Sequence, residues 1–174
     1  MVTILLFTKD HAVALARTLA PLVHDAVEGH IAEVIVVDAG STDATVAIAD
    51  TSGCTLVRSG EKPLRDVVAD ARADWLIVIE PGARLKEGWH GAVMDHIMHQ
   101  ASAAACFRPE RKGGWLERLF RPVTAKRGPL ARGLLISRAQ ALSGLSPSAA
   151  SGEDLVRGRA LKTLDFEIEL APQV

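Results

Sequence analysis

The chain has 174 residues, 48% of them hydrophobic and 24% charged, with a formal net charge of -1. That composition supplies a core and excludes a disordered chain, and the near-neutral charge gives no electrostatic footprint for nucleic acid. No segment approaches the roughly 18 consecutive apolar residues that span a bilayer. Met1 to Phe7, followed by Lys9, lacks the basic region and cleavage site of a secretory leader, so a cytoplasmic protein is expected.

Thr3 to Phe7 reads as a first buried strand, and Ala12 to Val23 follows with apolar residues at helical spacing. Glu33 to Val37 is a second strand and Thr42 to Asp50 a second helix, with Ser41 or Thr42 available to cap it. Cys54 to Val57 is a third strand, Leu64 to Ala73 a helix, and Trp75 to Ile79 a fourth strand, apolar throughout. Such alternation predicts a parallel α/β sheet with helices on its faces. Beyond it, Gly88-Trp89 opens a helix to about Gln100, and Ala103 to Arg108 and Leu134 to Ile136 are strand candidates. A short helix covers Arg138 to Leu142, the Ser/Gly/Pro/Ala-rich run Ser143 to Gly152 reads as a flexible loop, and Asp154 to Leu161 reads as helical. Finally, Leu164, Phe166, Ile168 and Leu170 alternate with Asp165, Glu167 and Glu169, a half-buried strand whose acidic face suits a sheet edge.

Cys54 and Cys106 are isolated and expected as buried free thiols. His96 and His99 share one helix with Asp95 and His90, but no further ligand stands at zinc-site spacing, so solvated surface is expected. Charge is uneven along the chain. Arg108 to Arg132 holds eight basic and two acidic residues, and the remainder holds 12 basic and 19 acidic. This points to an anionic partner. The interleaved Trp115, Leu116, Leu119 and Phe120 leave three readings open for Arg108–Arg132: a solvated face, a phosphate-contacting wall, or a peripheral contact with a membrane surface.

One stretch carries more than the others: Glu33-Val34-Ile35-Val36-Val37-Asp38-Ala39-Gly40-Ser41-Thr42-Asp43-Ala44-Thr45. Open α/β sheets bind ligands at the carboxyl ends of their strands, which is where Asp38 and Asp43 fall; as bare residues, the two equally suit a strand end and a helix start. The stretch resembles the V-V-D-x-G-S-x-D-x-T signature of family 2 glycosyltransferases. That resemblance implies the GT-A fold, an α/β Rossmann-like architecture with a mostly parallel sheet flanked by helices. It also implies one domain over residues 1–174, with a nucleotide-binding half to residue 85 and an acceptor-side half beyond it. The implied donor is a nucleotide-diphospho-sugar; the acceptor is not legible, and a lipid-linked one would bring the chain to a membrane surface.

By the same resemblance Asp38 contacts the nucleotide base, and Gly40, Ser41 and Asp43 lie beside the nucleotide. Thr8, Lys9 and Asp10 match the segment after the first strand, with Lys9 where an aromatic usually packs on the base; the chain contains no tyrosine. Arg65 stands at a position that is usually asparagine. The family's Asp-x-Asp pair, which holds Mg²⁺ or Mn²⁺ against the diphosphate, reads Glu80-Pro81-Gly82 here. Glu80 alone remains to hold a divalent cation, with Arg84 as a candidate to offset diphosphate charge. Glu153 and Asp154 match the acidic pair from which inverting members draw the general base, with Asp154 expected as that base, although an acidic pair in a first helical turn is also ordinary capping chemistry. Two functions follow: a glycosyltransferase, or a catalytically impaired nucleotide-sugar-binding module of the same fold. A nucleotidyltransferase of related fold would need a Gly-rich loop after the first strand, and Thr8-Lys9-Asp10-His11-Ala12 is not one.

Overall fold

The computed structural model describes residues 1–110 and 128–172. Most of the Arg108–Arg132 stretch, with Trp115, Leu116, Leu119 and Phe120, therefore lies outside the described residues. The elements in chain order are β1 (Val2–Thr8), α1 (Ala12–Val27), β2 (Ile31–Asp38), α2 (Thr45–Thr51), β3 (Thr55–Arg58), α3 (Leu64–Ala69) and β4 (Trp75–Ile79). Then come β5 (Arg84–Leu85), α4 (Trp89–Gln100), β6 (Ala105–Pro109), a 3-10 turn (Pro129–Arg132), β7 (Leu134–Ser137), α5 (Arg138–Gly144), α6 (Gly152–Val156) and β8 (Lys162–Glu169).

The strands form one sheet in the order β3-β2-β1-β4-β7-β6-β8-β5. The first four are mutually parallel; β7 runs antiparallel to both β4 and β6, and β8 is parallel to β6. Their continuous apolar runs are explained by cover on both faces. Ile4, Leu6, Val36, Ile77 and Ile79 face a cluster with Leu15, Leu19, Leu22, Ala49, Trp89 and Val93, from α1, α2 and α4. Their alternates Leu5, Ile35, Val37, Leu76 and Val78 face Leu64, Val67, Val68, Ala141 and Leu155, from α3, α5 and α6.

Several details differ from the sequence reading. The helix expected over Asp154 to Leu161 stops at Val156, with Gly158 at φ +72° just beyond. The last strand is not the edge: Arg84 and Leu85 pair with Glu169 and Ile168, placing β5 outside β8. Two residues carry too little periodicity to announce that strand. His96 is 4% exposed, its ring against Trp75 and its Nε2 2.8 Å from the Ala103 carbonyl, where solvated surface was expected; His99 is exposed. The Ser143 to Gly152 run begins inside α5, and its Leu145 and Ala149 are buried in the core. Among the described residues no helix is long and apolar enough to cross a membrane.

Candidate functional site

The chain leaves β1 toward β2 and β3 on one side, then returns to β4 on the other, so the crevice at the ends of β1 and β4 is the topological switch point where such sheets bind ligands. The register sets Thr8 beside Asp38 and Leu6 beside Ile79. Thr8, Asp38 and Glu80 thus gather at one end of three adjacent strands.

Two loops there are tied together. Asp10, at φ +53°, donates its N–H to Ser41 Oγ at 2.8 Å and accepts the Thr42 N–H at 2.6 Å through its carboxylate. In return, Asp43 accepts the Ala12 N–H at 3.0 Å, and Thr45 Oγ1 accepts the His11 N–H at 3.0 Å. Asp38, 2% exposed, accepts the N–H of Gly40 at 3.2 Å and of Ser41 at 3.0 Å, together with the Ser41 hydroxyl. Gly40 takes φ +84° to close that turn, a conformation glycine adopts without steric cost. Ser41 and Thr42 are drawn to Asp38 and Asp10, so the cap expected of them does not form; Asp43 instead accepts the Thr45 N–H at the start of α2, at 2.9 Å.

Beside Asp38, the Thr8 hydroxyl is buried and has no hydrogen-bond partner among the described residues. A buried orphan polar atom in a native fold calls for a missing partner. On the other face of the sheet, Val37 lines a cavity of about 200 Å³ completed by Ser59, Gly60, Lys62, Pro63 and the loop 147–150; Thr8 and Asp38 are not part of its lining. Its walls are mostly apolar. Sequence reasoning missed this chamber; the turn-forming Ser59-Gly60 and Pro63, with the Ser/Pro/Ala loop, were its only signal. Lys9 is exposed at the rim of the β1 loop. Arg65 is exposed and donates to the Leu142 carbonyl at 2.9 Å, joining α3 to α5. Arg84 lies 3.7 Å from Glu169.

The acidic pair opens α6 just after the loop 147–150 that lines the cavity. Asp154 Oδ2 accepts the N–H of Ala150 at 3.0 Å and of Ser151 at 3.1 Å, and Oδ1 lies 3.1 Å from Arg157. Ser151 completes a capping box with it. The Ala150 and Ser151 amides hold the Asp154 carboxyl below its ordinary value. Glu153 is exposed. Gly152 is wedged so that a Cβ would lie 2.7 Å from Leu130 and 3.1 Å from Phe7, which fixes the helix start against the end of β1.

Asp10 and Asp43 are also held below their ordinary values, chiefly by the Thr42 amide and by the Thr45 hydroxyl respectively. Below about pH 4, the unfolded chain takes up protons at these positions that the folded chain refuses. Stability should therefore fall as pH drops through that point, by more in wild type than in an Asp10→Asn/Asp43→Asn double variant. Thermal unfolding between about pH 5 and pH 3 measures the difference; equal slopes would show that the two loops are not held by these charges.

No protein-family model matches the chain, and no curated protein is similar to it by sequence. Solved structures are similar in fold. Glucosyl-3-phosphoglycerate synthase from Mycobacterium tuberculosis, with Mn²⁺, uridine diphosphate and phosphoglyceric acid, matches at TM-score 0.66 and 16% identity over 100% of this chain and 72% of its own. S. aureus TarS matches at TM-score 0.68 and 14% identity, over 98% of this chain and 60% of that one. The mannosyltransferase PcManGT from Pyrobaculum calidifontis, with GDP-Man and Mn²⁺, matches at TM-score 0.67 and 17% identity, over 99% and 57%. The fold is GT-A. At these identities the likeness is one of architecture. A divalent cation, Mn²⁺ or Mg²⁺, accompanies the nucleotide in several of the similar structures. In this GT-A chain Glu80 is the one carboxylate of the matching turn, and among the described residues no group of three or more His, Cys, Asp or Glu could hold a metal.

Proposed function

We propose that the chain binds a nucleotide-diphospho-sugar at the switch point and transfers the sugar to an acceptor. The observation that carries this reading is the buried, orphan Thr8 hydroxyl standing beside the buried Asp38 at the paired ends of β1 and β2. The GT-A fold adds support. A few convergent polar groups fix a ligand's orientation; in this reading Thr8 and Asp38 do so for the base, and the diphosphate and sugar extend along the strand ends toward Glu80 and Glu153.

In the transfer an acceptor hydroxyl oxygen attacks the anomeric carbon, the carbon–oxygen bond to the diphosphate breaks, and the diphosphate departs with the electron pair. The acceptor proton passes to a carboxylate of the Glu153–Asp154 pair. Asp154 is the weaker base, because its hydrogen bonds lower its proton affinity and hold the loop. Glu153 is the exposed member. Glu153→Gln should lower kcat by about 10²- to 10⁴-fold with the melting temperature unchanged, measured as release of UDP or GDP from its sugar conjugate. Full activity in Glu153→Gln with loss in Asp154→Asn would reverse the assignment.

The second reading, a nucleotide-sugar-binding module, is favoured by the capped Asp154 and by glycine at position 82. It predicts binding without turnover in wild type. Calorimetric titration of UDP-, GDP- and dTDP-sugars tests both readings at once, since no binding to any of them would leave only the fold. For localisation we propose the cytoplasm, with the Arg108–Arg132 stretch as a contact for an anionic surface.

A further inference from the structure

We infer that the turn after β4 is not a divalent-cation site and that nucleotide binding by this chain is independent of such a cation; the second half of the inference rests on the proposed function. Glu80-Pro81-Gly82-Ala83 has the residues of a type II turn, proline second and glycine third. Gly82 has φ +94°, and the Ala83 N–H closes the turn on the Glu80 carbonyl at 3.1 Å. The position where a second carboxylate would stand is thus a left-handed turn residue.

It is also enclosed. A Cβ on Gly82 would lie 3.2 Å from Ala171 Cβ, 3.3 Å from Pro172 Cδ and 3.5 Å from Ala14 Cβ. The Gly82 N–H donates to Thr18 Oγ1 at 2.7 Å, and the Thr18 hydroxyl donates to the Ala83 carbonyl at 2.9 Å. Thr18 is 1% exposed, so this clasp is internal. Packing from α1 and from residues 171–172 thus occupies the space into which a side chain at position 82 would project. Mg²⁺ needs near-octahedral oxygen coordination, which protein sites supply with one or two carboxylates besides water and substrate phosphates; the turn offers the lower number, Glu80, and no room for the second. The arginines nearest the turn in sequence and packing are already paired: Arg17 at 2.6 Å and Arg84 at 3.7 Å both meet Glu169.

The test reads Mn²⁺ directly. The electron paramagnetic resonance signal of free Mn²⁺ is recorded with the full chain alone and with UDP or GDP, in wild type and in Glu80→Gln. Calorimetry of the same nucleotides is run in Mn²⁺ and in EDTA. The expected result is that the protein alone removes no Mn²⁺ signal, that Glu80→Gln changes nothing, and that nucleotide affinity differs by less than about twofold between the two buffers. A protein-dependent loss of signal abolished by Glu80→Gln, or nucleotide binding weakened about tenfold or more in EDTA, overturns the inference. Absence of nucleotide heat in both buffers counts against the proposed function, while the Mn²⁺ signal with protein alone still decides the cation site.

Discussion

Asp38→Ala should weaken nucleotide binding by about 10- to 100-fold, the range that follows from losing one charge-assisted hydrogen bond of about 1.5–3 kcal/mol. The same change should lower stability by about 2 kcal/mol, because the Gly40 and Ser41 amides lose their acceptor. Water can reach the exposed Gly40, which keeps the cost below that of a fully buried orphan. For a chain of this size the stability loss corresponds to about 4–8 °C in melting temperature. The two readouts separate two roles of one carboxylate. Shaping the turn alone predicts the thermal shift with affinity retained once the temperature is low enough for full folding. Contact with the base predicts that affinity stays lost there. Asp38→Asn sharpens the comparison, since an amide oxygen can still accept from the turn. Calorimetry with UDP and GDP well below the melting temperature decides, and wild-type affinity in Asp38→Ala would remove Asp38 from the binding site.

The parallel half of the fold was legible because its signal is local and redundant. Trp75–Ile79 was read with its observed limits, and β1 and β2 lie within two residues of the reading at each end. Each is apolar on both faces and bounded by turn residues, which leaves few alternatives. The candidate site's residues were brought together for the same reason: Thr8, Asp38 and Glu80 each follow or end such a run, and the strand register sets those ends side by side.

What the residues do was harder to read, since it depends on which hydrogen bonds win. Ser41, Thr42 and Asp43 all suit a helix start. Only the three-dimensional proximity of Asp10 and Asp38 takes the first two away and leaves Asp43 to the Thr45 amide. Arg65, read as a ligand contact, also donates one N–H to a carbonyl 77 positions away. The cavity combines Val37 with residues 147–150, a separation that no spacing rule reports. Asp154 illustrates the limit in reverse: both the catalytic and the capping reading were visible in the sequence, and the structure satisfies the capping one in full without displacing Glu153 from solvent.

Gly82→Asp, which on sequence alone would restore the missing carboxylate, should instead destabilise the protein by about 2–5 kcal/mol. Forcing a side chain into the left-handed region costs about 1–2 kcal/mol, and crowding a packed site adds about 1–3 kcal/mol. The neighbours are Ala171 Cβ and Pro172 Cδ at 3.2 and 3.3 Å, short and stiff groups that cannot swing aside as a long side chain would. The turn cannot simply tilt either, because Thr18 grips it through both the Gly82 amide and the Ala83 carbonyl. Gly82→Ala separates the backbone and crowding costs from charge: it should lose most of the same stability with no carboxylate added. Urea unfolding of the two variants measures the costs, and Mn²⁺ titration of Gly82→Asp under folding conditions measures any site created. A Gly82→Asp protein as stable as wild type that binds Mn²⁺ would show that residues 171–172 yield readily, and the turn would then be a metal site lacking only its second ligand. Loss of stability without Mn²⁺ binding would mean that one glycine reflects a rebuilt turn, in which proline, Thr18 and the last described residues together replace the space a cation would need.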